Sequence, residues 1–75
     1  MTTITLYSTV ACELCERAER LLRSMPELAR CTVRIVDIVD DECLLGRYGK
    51  RIPVLDIDGK LLDWPFNADD VIDAL

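Results

Sequence analysis

The sequence predicts a single α/β domain, a four-stranded mixed sheet flanked by three helices in the order β-α-β-α-β-β-α. Three observations carry that expectation. Thr3 to Tyr7 alternates polar and apolar residues as a strand does. From about Cys12 to Met25 the apolar residues recur at helical spacing. Near the C-terminus two short runs, Val54 to Ile57 and Lys60 to Asp63, are separated only by Asp58-Gly59, the pair that suits a type I′ hairpin turn.

Each element has its own local reasons. The apolar stripe of the first helix is Leu14, Cys15, Ala18, Leu21, Leu22 and Met25. Its outer face pairs Glu13 with Arg17, Glu16 with Arg20 and Glu19 with Arg23, acid first, the better orientation for residues four apart. Pro26 ends it. Thr32 to Ile38, rich in Val and Ile, is the second strand, and a right-handed crossover makes it parallel to the first. Asp40 or Asp41 caps a short helix through Tyr48, with Gly49 as its stop. The hairpin strands are antiparallel neighbours. Asn67 caps a last helix with Asp69 and Asp70 in its first turn and Val71, Ile72 and Leu75 as its apolar face. No repeat, low-complexity tract or linker interrupts the chain.

Composition narrows the setting. Seventy-five residues make one domain, near the lower limit at which an apolar core suffices unaided. Fourteen acidic against nine basic residues give a net charge of −5, which argues against a nucleic-acid surface. No apolar run approaches the ~20 residues of a membrane span. Thr2, Thr3, Thr5, Ser8 and Thr9 interrupt any secretory pattern, so a cytoplasmic address is expected. In that reducing compartment four cysteines are not read as two structural disulfides; a Cys-X-X-Cys there is catalytic or metal-binding.

Cys12-Glu13-Leu14-Cys15 supplies such a pair at the start of the first helix. A thiol there faces unpaired backbone N–H groups and the positive end of the helix dipole, which lowers its pKa from the free value of roughly 8.5. Cys12 holds that position. Cys15, one turn later on the same side, can displace a mixed disulfide formed on Cys12. Glu13 places a carboxylate beside Cys12 and offsets part of the dipole's effect. A less acidic Cys12 than in a strongly oxidising relative, and a couple that favours the disulfide more, are therefore expected.

With this element order, Leu6-Tyr7-Ser8, the Cys12 to Cys15 motif, Tyr48-Gly49-Lys50-Arg51-Ile52-Pro53-Val54-Leu55 and Asp58-Gly59 together resemble the glutaredoxin-like group of thioredoxin-fold proteins. The resemblance covers essentially the whole chain. It implies a thiol-disulfide oxidoreductase with Cys12 as nucleophile and Cys15 as resolving thiol, serving electron transport and cell redox homeostasis. It also implies that Pro53 is a cis-proline facing the dithiol, its ring excluding metal and water. The backbone of Ile52 is then free to pair with an extended substrate or with glutathione. Without the resemblance, Ile52-Pro53 reads only as an X-Pro opening a strand, where trans is the rule. Departures from the better-known members are Ala11 before the pair, Glu13-Leu14 within it, and Trp64-Pro65-Phe66-Asn67 where a Gly-Gly turn is usual. These weaken the case for glutathione. Arg47, Lys50 and Arg51 are placed to meet a glutathione carboxylate, or Arg47 and Lys50 complement the dipole of the second helix.

The remaining candidates have bland and functional readings. Cys31 and Cys43 lack the close spacing of a zinc site and the chain has no histidine, so no metal is expected and both are read as core or boundary residues. Asp56 is either a solvent-exposed strand residue or a buried acid that takes the proton of the resolving cysteine. Trp64 and Phe66 are read as packing the last helix onto the sheet. The expected partners are a disulfide-containing protein or glutathione as co-substrate, with no tightly bound cofactor, no nucleic acid and no membrane, and a monomer is expected. The alternative is a non-enzymatic binding module of the same fold, or a carrier of an iron–sulfur cluster bridged through Cys12.

Overall fold

A computed structural model describes residues 2–75. β1 (Thr3–Ser8) buries Ile4, Leu6 and Ser8 on one side and leaves Thr5 and Tyr7 half-buried on the other. This is the period-two alternation of a strand covered on both faces. α1 (Glu13–Arg23) follows, then a single 3₁₀ turn at Pro26–Leu28. Pro26 thus ends the helix and also opens the next turn, where its missing N–H costs nothing. β2 (Thr32–Asp37) lies parallel to β1, from Thr3 against Thr32 to Ser8 against Asp37. α2 (Glu42–Tyr48) leads to β3 (Val54–Ile57), β4 (Lys60–Asp63) and α3 (Ala68–Ala74). The strand order is β2-β1-β3-β4, with β3 antiparallel to both its neighbours. The fold is the predicted one.

The helix caps explain most of the boundaries. Asp41, rather than Asp40, caps α2 by accepting the Leu44 N–H at 3.1 Å. Asn67 accepts from the Asp70 N–H at 2.9 Å while Asp70 accepts from the Asn67 N–H at 3.0 Å. Such caps contribute about 1 kcal/mol each. Gly49 keeps ordinary right-handed dihedrals, so its role is spatial: a Cβ there would run into the Leu45 carbonyl oxygen. At the hairpin, Asp58 and Gly59 have φ of 50° and 93°, as a type I′ turn requires.

Two layers pack on the sheet. On one face, Ile4, Leu6, Leu55 and Ile57 meet Ala18, Leu22 and Met25 at the α1 side, with Leu28, Phe66 and Val71 of α3 completing the main core. On the other, Ile38, Tyr48 and Val54 form a smaller cluster, with Tyr7, Leu44 and Ile52 at its edge. Several expectations need correction. Leu14 is 43% exposed, because it lies on the flank of the helical stripe in the first turn, where β1 has already stopped at Ser8. Ile72 and Leu75 are also exposed; so short a helix touches the core along one line, at Val71 with Ala68 and Ala74 beside it. Of the three charge pairs on α1, Glu13–Arg17 and Glu19–Arg23 close, at 3.1 and 2.7 Å, and Glu16–Arg20 does not. No helix among the described residues is long and apolar enough to cross a membrane.

Candidate functional site

β1 delivers the chain to a tight turn at one end of the sheet. Ala11 has φ 55° there, a left-handed conformation that disfavours any side chain by about 1 kcal/mol. The turn leaves Cys12 in extended geometry as the N-cap of α1. Its carbonyl accepts the first helical bond, from the Glu16 N–H at 3.0 Å. Its Sγ accepts the Cys15 N–H at 3.2 Å, so a sulfur fills the role usually held by a Ser or Asp oxygen. Cys12 and Cys15 are joined as a disulfide, their Cα atoms 5.2 Å apart, within the usual range.

The two sulfurs differ in access. Cys12 is half-buried, whereas Cys15 is 3% exposed on the packed side of α1. An incoming group therefore meets Cys12 first. Glu13 leans along the helix to Arg17, which takes part of its charge off the cysteine beside it.

Ile52–Pro53 is cis, as the resemblance implies. Pro53 is fully buried and Ile52 half-buried. The register, Val54 against Tyr7 and Ile57 against Ile4, puts the start of β3 at the end of the sheet where β1 hands over to Cys12. Trp64–Pro65 is cis as well, which no feature of the sequence foretells. Trp64 packs against Phe66 edge to face, with ring centroids 5.1 Å apart, and both join the main core.

The basic residues are partly committed. Arg51 directs Nε and Nη2 to Asp63 Oδ1 at 3.1 and 2.8 Å, and also lies over the Tyr48 ring. Arg47 sits over the same ring, 5.4 Å from its centroid. Lys50 is exposed on the turn that follows α2. Tyr48 in turn stacks on Tyr7, with centroids 4.6 Å apart. Burial raises the Tyr7 phenol above its ordinary pKa, helped by Tyr48 and Asp56 and opposed by Arg47 and Arg34.

Asp56 does not lie under the dithiol. It pairs opposite Thr5, on the sheet face away from α1, and its Oδ1 accepts the Gly59 N–H at 2.8 Å, so it serves the hairpin turn. Cys31 is half-buried against the main core and Cys43 is exposed on α2. Among the described residues no three potential ligands converge on a metal site. The sequence does not single out Val10 and Val39, which are 75% and 54% exposed. The Ile38 N–H bonds to the Ser8 carbonyl at 3.0 Å, which holds Val39 at the dithiol end beside the turn that carries Val10. With Leu14 they give that end an exposed apolar character.

Comparisons with known proteins agree with this geometry. A crystal structure of the protein XcR50 from X. campestris is 37% identical, with a TM-score of 0.77 over 96% of this chain and 97% of that one. The solution structure of Ne2328 from Nitrosomonas europaea is 29% identical, with a TM-score of 0.77 over 97% of this chain and 88% of that one. Trichomonas vaginalis thioredoxin, 21% identical with a TM-score of 0.60 over 97% of this chain and 74% of that one, shares the fold. A search of curated proteins returned no match. The family model described as Glutaredoxin-like domain (DUF836) matches residues 3–75, and with the dithiol and the thioredoxin-like sheet in place, the chain belongs to that glutaredoxin-like family.

Proposed function

We propose that the protein is a thiol-disulfide oxidoreductase acting on protein disulfides or glutathione mixed disulfides. The observation that carries this reading is the position of Cys12: it caps α1 through its sulfur, is partly open to solvent, and lies within bonding reach of a buried Cys15. A thiolate is a stronger hydrogen-bond acceptor than a disulfide sulfur, so the Cys15 N–H favours the ionised, nucleophilic form of reduced Cys12.

In the reducing direction the Cys12 thiolate attacks one sulfur of a substrate disulfide. A Cys12 mixed disulfide forms, and the other substrate sulfur leaves as a thiolate that takes up a proton. Cys15, once deprotonated, attacks Cys12 Sγ, breaks the mixed disulfide and releases the second substrate thiol. Two electrons have passed to the substrate and the Cys12–Cys15 disulfide remains. Two equivalents of a thiol reductant, glutathione among the candidates, restore the dithiol. Ile52 with Pro53 contributes the docking backbone, and Val10, Leu14 and Val39 the apolar surround. Of the three basic residues ahead of Ile52, Arg51 is engaged by Asp63 and Arg47 lies over Tyr48, which leaves exposed Lys50 as the candidate to meet a substrate carboxylate. A cytoplasmic role in redox homeostasis is consistent with this chemistry.

The test is turnover: hydroxyethyl disulfide with excess glutathione, with and without the protein. The proposal expects oxidised glutathione to accumulate well above the uncatalysed rate, in proportion to protein. No acceleration with glutathione or with a dithiol reductant would remove the enzyme reading.

A further inference from the structure

We propose that the chain self-associates into a two-fold dimer by pairing β2 antiparallel with β2 of a second copy about an axis at Arg34. The two sheets would then join into one of eight strands. β2 is the outer strand beside β1, and among the described residues nothing pairs with its free edge. It is six residues long, without proline, and rich in β-branched residues. Edge strands that avoid association are short, charged, bulged or covered. β4, at the other edge, also carries one basic and one acidic residue, as β2 does in Arg34 and Asp37, but it has only four residues and none of them is β-branched.

The side chains of β2 are uncovered too. Val33 and Ile35 stand in register with the fully buried Ile4 and Leu6, yet are 40% and 43% exposed. α1 stops short of them and leaves a notch of about 220 Å³, lined by Leu22, Val33 and Ile35 and rimmed by Glu19 and Arg23.

The charges on that rim select a second copy as the occupant. α1 returns from the end of β1 to the start of β2, so Arg23 lies level with Val33 and Glu19, one turn earlier, with Ile35. Antiparallel pairing about Arg34 sets Val33 against Ile35 of the second copy. The Glu19–Arg23 pair of each α1, closed at 2.7 Å within its own helix, faces the other copy's pair with the signs reversed, Glu19 across from Arg23, each contact occurring twice. Pairing about Ile35 would instead oppose Glu19 with Glu19 and Val33 with Asp37. The cost of the chosen register is Arg34 near its own copy on the other face. That side chain shares a row with Thr5 and Asp56, towards which it can turn. Because the two-fold reverses strand direction, the dithiols lie at opposite ends of the joined sheet and both stay open.

Sedimentation equilibrium from micromolar to millimolar protein, with a phosphine reductant to prevent Cys43 bridges, tests this. The average mass should rise towards two chains, and Ile35→Lys should weaken association about tenfold or more. Glu19→Lys or Arg23→Glu alone should weaken it, and the double exchange should restore it. Leu61→Lys on β4 should have no effect. Should Ile35→Lys not fold by circular dichroism, the charge exchanges at the surface decide. A monomer at every concentration, a dimer indifferent to Ile35→Lys, a double exchange that fails to recover, or loss on Leu61→Lys would overturn the proposal.

Discussion

Among the described residues, two with side chains hold left-handed backbone, Ala11 at φ 55° and Asp58 at φ 50°, and they mark opposite ends of β1. At Asp58 the local sequence supports the conformation. Gly59 follows at φ 93°, the Asp58 carboxylate accepts the Thr3 N–H at 3.3 Å, and Asp56 accepts the Gly59 N–H. Ala11 has no polar side chain to make such a bond. It is held by what comes next, the sulfur cap of α1 and the Cys12–Cys15 bridge. The hairpin end is thus encoded where it stands. The dithiol end keeps a conformation its own residues disfavour, and backbone strain of this kind gathers at functional sites.

The largest effect that sharpens this contrast is chemical. Cys12→Ser should bring thiol exchange down to the uncatalysed rate, while Cys15→Ser should keep the first attack and accumulate a mixed disulfide on Cys12, read by intact mass. At the hairpin end, Gly59→Ala should lower stability by about 1–2 kcal/mol, because alanine is disfavoured at that φ. Thermal unfolding would show it as a fall of several degrees. Asp56→Ala should cost about 1 kcal/mol through loss of the Gly59 bond and leave exchange rates and their pH profile unchanged. A changed pH profile would return Asp56 to the chemistry. Ala11→Gly should have the opposite sign and raise stability by up to about 1 kcal/mol. A loss there would mean that Ala11 is not strained and would erase the contrast. The smallest effect is expected of Glu13→Gln: removing the carboxylate favours the thiolate, so the reduction potential should move about 10–20 mV less negative, with Arg17 already damping the effect.

The features legible in the sequence were those with local causes. Asp58-Gly59, Asn67 with Asp70, and two of the three charge pairs of α1 state their structure within a few residues. The placement of Cys12 at the N-terminus of α1 was legible for the same reason. What depends on tertiary placement was not. The exposure of Val33 and Ile35 follows from β2 being an edge strand with α1 packed short of it, and a run of Val and Ile reads the same in a central strand. The outward position of Leu14 follows from where the sheet ends. Gly49 reads from the sequence as the stop of α2, but the reason, a close approach to the Leu45 carbonyl, is spatial. The sequence leaves Asp56 between two roles because its hydrogen bond crosses a turn whose geometry the sequence implies without fixing the side chain.

The most direct test of the central claim is the reduction potential of the Cys12 and Cys15 couple, by equilibration in glutathione redox buffers with mass spectrometry locating any mixed disulfide. The account predicts a reversible two-electron couple between about −270 and −200 mV, nearer the reducing limit, with any glutathione adduct confined to Cys12. A pair that forms no disulfide at any accessible poise, or an adduct that resides on Cys15, would contradict it.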